Sequence, residues 1–426
     1  MRTYFNFFML TVLMLAAPAL EGRQYDRTGP LSGALVAPAV AGSAGADAAF
    51  YNPAATVFLP DFLLTLNAGI DLVGRSFSGK PPYPGYGTTG QGTSRFVQLP
   101  AFAVVRSIRK DMSVSLTGYS PFEIHTEWDE PSIFSGRFLA ANVLLRTYEI
   151  SSSLAYAPGK RFSFSAGVSG LFSSIALDRL LPVVLNGNVF NAGLMKLSGT
   201  ARGGFGAVVS AFLNLNDRTS AGLSWRSQRS LRIDGGEATV VLLNAGSALI
   251  DDAAAITLLP SQNFSTQLIL PAQVRAAVRH AFAQGKALSL AAALFLTKNA
   301  DNLLFDFTAG YPQIDLRTAT DNRLEISAVY EHALASGWLV RAGYGYTGQK
   351  TEPNTLNPAW VPATGQSLAL ALSYQRGGVL FTLAGQARTP FSAEAPPDGS
   401  AGLAGKYTYS SANVSFSVAY SGSLSR

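Results

Sequence analysis

The chain contains 426 residues, of which 48% are hydrophobic and only 14% are charged. Soluble globular domains carry about 25% charged residues, so this chain is markedly short of charge. Its net charge of +6 comes from scattered lysine and arginine residues rather than from one basic run, which argues against nucleic-acid binding. The absence of cysteine excludes disulfides, zinc–thiolate sites and a cysteine nucleophile.

Residues 1–19 have the features of a secretory signal peptide. Arg2 gives a positively charged start, an apolar run follows from Phe7 to Ala17, and Ala17-Pro18-Ala19 has the small-x-small form of a cleavage site. Beyond this segment the sequence contains no apolar run of about 18 residues, the length that a membrane-spanning helix requires. An exported, charge-poor chain of this kind is either a secreted β-protein or an outer-membrane β-barrel.

A stretch rich in small residues, 42–60, follows and contains Phe50-Tyr51-Asn52-Pro53-Ala54. Pro53 fixes its own φ and biases Asn52 away from the helical region, so the chain is expected to turn there.

After Pro60, apolar and polar residues alternate with period two over most of the chain, which is typical of β-strands. In one segment, Leu268, Leu270, Val274 and Val278 are predicted on the lipid face, and Gln267, Gln273 and Arg275 on the lumen face. The segments are long enough for the about 9–11 residues that a tilted membrane strand needs. Tyr and Trp gather near their ends, as aromatic girdles require.

Short and long connections alternate along the chain. Short turns include Pro158-Gly159-Lys160 and Arg376-Gly377-Gly378, and the long loops are predicted at 79–93, 126–138, 180–195, 234–261, 301–320, 351–363 and 390–405. This alternation is typical of periplasmic turns and extracellular loops. The sequence therefore predicts an all-β fold, a transmembrane antiparallel barrel of about 14 strands over residues 61–426.

Two of the long loops, 180–195 and 234–261, are unusually apolar. Their apolar residues are Leu180, Leu181, Val183, Val184 and Phe190 in the first, and Val240, Val241, Leu242 and Leu243 in the second. An exposed apolar patch usually marks a binding surface. The alternative is that the loops form short helices that bury these side chains against one another, and both can hold together.

Several motifs, in this order and spacing, resemble the FadL family of outer-membrane transporters for hydrophobic compounds. They are Phe50-Tyr51-Asn52-Pro53-Ala54, Ser120-Pro121-Phe122-Glu123-Ile124-His125-Thr126-Glu127-Trp128, Leu270-Pro271-Ala272-Gln273-Val274-Arg275 and Trp338-Leu339-Val340-Arg341-Ala342-Gly343-Tyr344. The resemblance implies a hatch, or plug, inside the barrel over residues 20–60, with Phe50, Asn52, Pro53 and Ala54 in its last turn. It also implies that the loops after strands five and seven, matched here by the two apolar loops, capture the ligand.

A kink in the third strand is the family's sideways exit, and here it would lie at Gly118, Pro121, Phe122 and Glu123. Glu123 departs from the family, which usually has Gly at that position. We expect Glu123 to face the lumen and to hydrogen-bond the hatch or, when protonated, the carboxylate end of a ligand. The resemblance implies a monomer in the outer membrane of a Gram-negative cell, in contact with lipid, that carries fatty acids or aromatic hydrocarbons without a cofactor.

The sequence argues against two other functions, a lipid-acting enzyme and a general diffusion porin. A lipid-acting enzyme would need a nucleophile, a base and an acid that converge, but only three histidines occur and Ala41-Gly42-Ser43-Ala44-Gly45 is a poor nucleophile elbow. Neither a catalytic residue nor a metal-ligand spacing is predicted. A general diffusion porin would want polar loops and no plug, which the small-residue segment and the apolar loops argue against.

Overall fold

The structure is a computed structural model that describes residues 33–42, 45–98, 100–258, 260–298, 303–308, 311–317, 319–359, 364–399 and 402–422. The predicted signal peptide, 1–19, and the first part of the predicted hatch, 20–32, lie outside the described residues. Within the described ranges, no helix is long and apolar enough to cross a membrane.

The chain forms a ring of 14 strands in one sheet, as predicted. In chain order its strand segments are β1 (Phe62–Gly79), β2 (Thr89–Val97), β3 (Ala101–Arg109), β4 (Met112–Tyr119), β5 (Glu123–Glu127), β6 (Asn142–Tyr156), β7 (Phe162–Leu185), β8 (Asn188–Asn216), β9 (Thr219–Arg226), β10 (Arg229–Leu242), β11 (Gln262–Leu270), β12 (Gln273–Ala283), β13 (Lys286–Phe295), β14 (Leu304–Phe307), β15 (Ile314–Asp315), β16 (Arg323–Ala333), β17 (Trp338–Gly348), β18 (Gly365–Arg376), β19 (Val379–Ala395) and β20 (Gly405–Gly422). The ladder between β1 and β20 closes the ring, from Phe62 opposite Gly422 to Gly79 opposite Gly405.

Strand β13 pairs directly with β16, so β14 and β15 lie in the connection between them. The other 18 segments form the 14 wall strands, four of which are each broken into two segments. The breaks lie between β2 and β3, β4 and β5, β9 and β10, and β11 and β12. At the last of these, Pro271 has no N–H to donate, and the two residues outside the strands shift the alternation by one position. The predicted face of Leu268 and Leu270 is therefore wrong, because both are buried inside the barrel while Gln267 is exposed outside it.

The two predicted apolar loops are largely regular structure. Strands β7 and β8 have 24 and 29 residues, far more than the about 9–11 that cross a membrane, and they meet at Asn186-Gly187, both with positive φ. Residues 180–195 therefore lie in a long hairpin and not in a loop. Strand β10 contains Val240, Val241 and Leu242, and a helix, Ala248–Thr257, follows it, as the helical alternative allowed.

The N-terminal segment fills the lumen as a hatch. It consists of a 3₁₀ helix (Gly33–Leu35), α1 (Ala37–Val40), a second 3₁₀ helix (Gly45–Asp47), α2 (Ala48–Tyr51) and a third 3₁₀ helix (Pro53–Phe58); the helix Ala248–Thr257 is α3. The alanines of the hatch are almost fully buried against the wall. Wall glycines permit this approach, since an added Cβ would lie 2.0 Å from the Val40 carbonyl oxygen at Gly222 and 2.1 Å from that of Ala34 at Gly343.

Candidate functional site

The predicted turn residues of the hatch are buried against the wall. Asn52 is fully buried, and its Nδ2 donates to the carbonyl oxygens of Val40 at 2.9 Å and Ala211 at 3.1 Å. The Ala54 amide donates to Ser210 Oγ at 2.9 Å, and Ser163 Oγ donates to the Ala54 carbonyl at 2.6 Å. Pro53 begins the third 3₁₀ helix. The turn thus joins the hatch to β7 and β8 by hydrogen bonds on both sides of Pro53.

Phe50, the remaining predicted hatch residue, contacts an arginine and a tyrosine of the wall. Arg226 Nη2 donates to the Phe50 carbonyl oxygen at 2.6 Å, and its guanidinium lies 4.6 Å from the Phe50 ring centre. The Tyr119 ring meets the Phe50 ring edge to face, with 3.8 Å between centroids. These contacts connect the hatch to strands three and seven, beside the breaks in both.

A buried ion cluster lies at the same level of the lumen. Glu149, fully buried, accepts from Arg226 Nη1 at 2.9 Å and from Arg229 Nη1 at 2.6 Å, and the Tyr119 hydroxyl donates to its Oε2 at 3.1 Å. Arg275, also buried, lies 5.5 Å from the Tyr51 ring. We call Glu149, Arg226, Arg229 and Arg275 the polar floor. It contains three cations and one anion, and Glu325 lies beside Arg275 as a second anion.

Toward the long loops, the lumen above the polar floor becomes apolar. Along the inward faces of three strands, Glu149 is followed by Thr147 and then Leu145, Arg229 by Leu231, and Arg275 by Gln273 and then, after the Pro271 break, Leu270. The apolar interior consists of these leucines and the buried residues packed with them, among them Ile124, Leu171, Leu177, Leu197, Ile233, Phe264, Leu268 and Phe305. The barrel therefore holds an apolar region that ends on a cationic one.

The residues predicted to capture ligand divide into buried and exposed sets at the outer end of the hairpin. Leu180, Leu181 and Val183 are buried, Phe190, Val240 and Leu243 are half-buried, and Val184, Val241 and Leu242 are exposed. Leu181 belongs to the apolar interior and Val240 packs against it. Val183 and Phe190 instead pack with Ile250 and Ala254 of α3, so the helix covers one side of the hairpin.

The third strand breaks at residues 120–122, as the kink prediction requires. Below the break, β4 pairs with β3 as far as Gly118 opposite Phe102; above it, β5 pairs with β6. Phe122 is held to β6 by its amide, which donates to Thr147 Oγ1 at 3.0 Å, and by its carbonyl, which accepts from the Thr147 amide at 3.1 Å. Outside the break, the Tyr148 hydroxyl donates to the Pro100 carbonyl at 3.0 Å.

Pro121 lies within this break, and Glu123 is the first residue of β5. Its side chain is 2% exposed and stands opposite Arg146 of β6 in the ladder. That Glu123 binds the hatch or a ligand stays a prediction.

A profile of the family "Outer membrane protein transport protein (OMPP1/FadL/TodX)" matches residues 16–376. The chain belongs to this family. Among solved structures, a Pseudomonas aeruginosa FadL homologue is 18% identical with a TM-score of 0.75, covering 94% of this chain and 99% of that one. The Pseudomonas putida toluene transporter TodX is 13% identical with a TM-score of 0.66, covering 96% and 100%. No curated protein sequence matches the chain.

Membership of the FadL/TodX family fixes the general function. The protein is an outer-membrane β-barrel of a Gram-negative cell that transports hydrophobic compounds, and it is not an enzyme. The family match gives no support to the alternative function, a general diffusion porin. Among the described residues, no group of three or more His, Asp or Glu side chains could hold a metal ion.

The polar floor was not predicted as a cluster, and only Arg275 was predicted to face the lumen. Arg226 and Arg229 lie 77 and 80 positions from Glu149, and no local motif joins them. The sequence signal for this cluster was weak: Arg226 and Arg229 flank a two-residue interruption of the period-two alternation. Both are buried, which is unusual for arginine.

Proposed function

We propose that this FadL/TodX-type barrel takes up long-chain monocarboxylic acids, and that the acid's carboxylate binds at the polar floor while its alkyl chain lies in the apolar interior. The observation that carries this proposal is the excess of buried cations at the end of an apolar region. Glu149 is shared by Arg226 and Arg229, so these three buried residues together carry a net positive charge. Buried charges are normally paired, and a bound carboxylate would supply the missing anion with charge-assisted hydrogen bonds.

A second candidate is a neutral aromatic hydrocarbon, because two structural neighbours are titled toluene transporters. A neutral hydrocarbon would use the apolar interior but would gain nothing from the arginines. The two candidates therefore differ in how they respond to loss of one cation.

The test compares a saturated long-chain acid with its methyl ester on purified protein and on Arg229→Met. We choose Arg229 because Arg226 also holds the Phe50 carbonyl, so its loss would disturb the hatch. The acid should bind wild-type protein more tightly than the ester, and Arg229→Met should weaken acid binding by about tenfold, or about 1.4 kcal/mol, without affecting the ester. Equal affinities for acid and ester in both proteins would exclude the carboxylate role and favour the hydrocarbon.

We further propose that the hairpin end captures the ligand. Support comes from the exposed Leu242, which lies on the same face of β10 as Val240, and Val240 packs against the apolar interior. Each buried methylene contributes about 0.8 kcal/mol, so partial contact with this surface already gives useful affinity.

Release is proposed to occur sideways into the membrane at the break of the third strand. The support is that no β-ladder joins β2 to β5 in the described part of the wall, although β3 and β4 below them are fully paired. The hatch, joined to the wall by the Asn52–Ala54 bonds, is proposed to block the straight path into the periplasm.

A further inference from the structure

The upper segment of the third strand, β5, pairs with β6 on one side, but on its other side it lies on the inner face of β2 and not edge to edge with it. An added Cβ at Gly92 of β2 would lie 2.1 Å from the Glu127 carbonyl oxygen, and one at Gly90 would lie 2.5 Å from the Phe134 ring. Both glycines point into the barrel, as the burial pattern of β2 shows. Strand β5 and the loop after it therefore rest on the inner face of β2, where only glycine leaves room.

The free edge of β5 presents backbone carbonyls that a neighbouring strand would normally pair. Backbone groups of alternate residues point to opposite neighbours in an antiparallel sheet. The Phe122 carbonyl accepts from β6, so those of His125 and Glu127 point away from β6, toward β2. The described residues include no ladder between β2 and β5 that would use them.

One side chain donates hydrogen bonds to two of these β5 carbonyls in place of a neighbouring strand. Arg75 of β1 is 3% exposed, and it reaches across the inner face of β2. Its Nη2 donates to the His125 carbonyl at 2.7 Å and its Nη1 to the Glu127 carbonyl at 2.9 Å. The planar guanidinium matches two carbonyls that are two residues apart, which the single ammonium of lysine would not.

We propose that Arg75 is the positioning residue of the sideways exit: its guanidinium holds β5 inside the barrel and so prevents β5 from pairing with β2 and closing the wall. The Asp129 amide, just after β5, already donates to the Gln91 carbonyl of β2 at 2.8 Å. Without Arg75, the edges of β2 and β5 are complementary antiparallel partners that extend this contact into a ladder. Strand β5 would then move outward and complete the ladder. This inference rests on the proposed lateral release, but the position of β5 can be measured without any ligand.

The first experiment measures hydrogen–deuterium exchange of the β2 amides at residues 91, 95 and 97 in detergent-purified protein. These amides point away from β1, as does the Thr93 amide, which already donates to Asp129 Oδ1 at 3.2 Å. In Arg75→Met these amides should become protected by about tenfold relative to wild type, because they gain ladder partners from β5. Arg279→Met is the matched control, since Arg279 is also a lumen-facing arginine with one ion pair, to Glu331, and lies on another wall strand. Wild-type exchange in Arg75→Met would overturn the inference.

The second experiment measures saturated uptake and binding of a long-chain acid. Arg75→Met should lower maximal uptake by about tenfold with unchanged binding affinity. The maximal uptake of Arg75→Lys, which can reach one carbonyl, should lie between those of wild type and Arg75→Met. If Arg75→Met does not assemble, Gly92→Ala removes the inner seat of β5 independently and should give the same protection and the same loss. Gly170→Ala is its control, because a Cβ there meets no atom within 4 Å.

The outcomes separate the two proposals. If wild-type protein takes up no long-chain acid, the proposed function fails, while the exchange experiment still decides the role of Arg75. If wild-type protein takes up the acid and Arg75→Met matches or exceeds it, Arg75 does not hold the exit open and the inference fails alone.

Discussion

Replacing Asn52 by alanine should loosen the hatch from the wall. The substitution removes two hydrogen bonds, at 2.9 and 3.1 Å, and leaves the Val40 and Ala211 carbonyls without these donors in a buried site. A buried group that loses its partner costs about 1–3 kcal/mol, so we expect a loss of about 2–3 kcal/mol in hatch docking. That raises the undocked population by about 30- to 150-fold.

Single-channel recording in planar bilayers measures this population directly. Asn52→Ala should show frequent openings to small ions where wild-type protein shows few. Asn216→Ala is the matched control, because Asn216 is the exposed last residue of β8 and its side chain accepts from the Arg218 amide. If Asn52→Ala conducts no more than wild type and Asn216→Ala, these two hydrogen bonds do not secure the hatch.

Three further changes test the rest of the pathway. Val241→Ser with Leu242→Ser should raise the ligand concentration for half-maximal uptake several-fold and leave the maximal rate unchanged, because only the capture surface loses apolar area; an unchanged half-maximal concentration would remove this surface from capture. Pro121→Val with Phe122→Thr should reduce maximal uptake by allowing a continuous third strand; normal uptake by the assembled variant would exclude an exit there. Tyr148→Phe should raise maximal uptake a few-fold, since it removes the hydrogen bond across the break; an equal or lower rate would show that this bond does not limit release.

The barrel and its hatch turn could be predicted from sequence because they depend on local patterns. Period-two alternation and the alternation of short and long connections require no knowledge of distant contacts, and they gave the strand number. Asn52-Pro53-Ala54 resembled a family motif, and Pro53 fixes its own φ. In the structure this turn lies where the hatch meets the wall. The predicted capture residues also meet at one end of the barrel.

Failures of prediction occurred where strands are irregular or unusually long. The Pro271 break reverses the faces of Leu268 and Leu270, and a pattern search that assumes one continuous strand cannot detect that reversal. Residues 180–195 looked like a loop because a membrane strand has no reason to continue far above the lipid. For the polar floor, only the inward position of Arg275 could be predicted, since the grouping of its charges depends on which wall strands face one another through the lumen.

Competition uptake between a radiolabelled long-chain acid and its unlabelled methyl ester, in a Gram-negative host that lacks its own transporter of this family, tests the substrate proposal most directly. The expected result is saturable acid uptake that an equal concentration of ester competes only weakly, and that Arg229→Met lowers by about tenfold at low acid concentration. Acid uptake no higher than in cells without the protein, or equal competition by the ester, would contradict a carboxylate site at the polar floor.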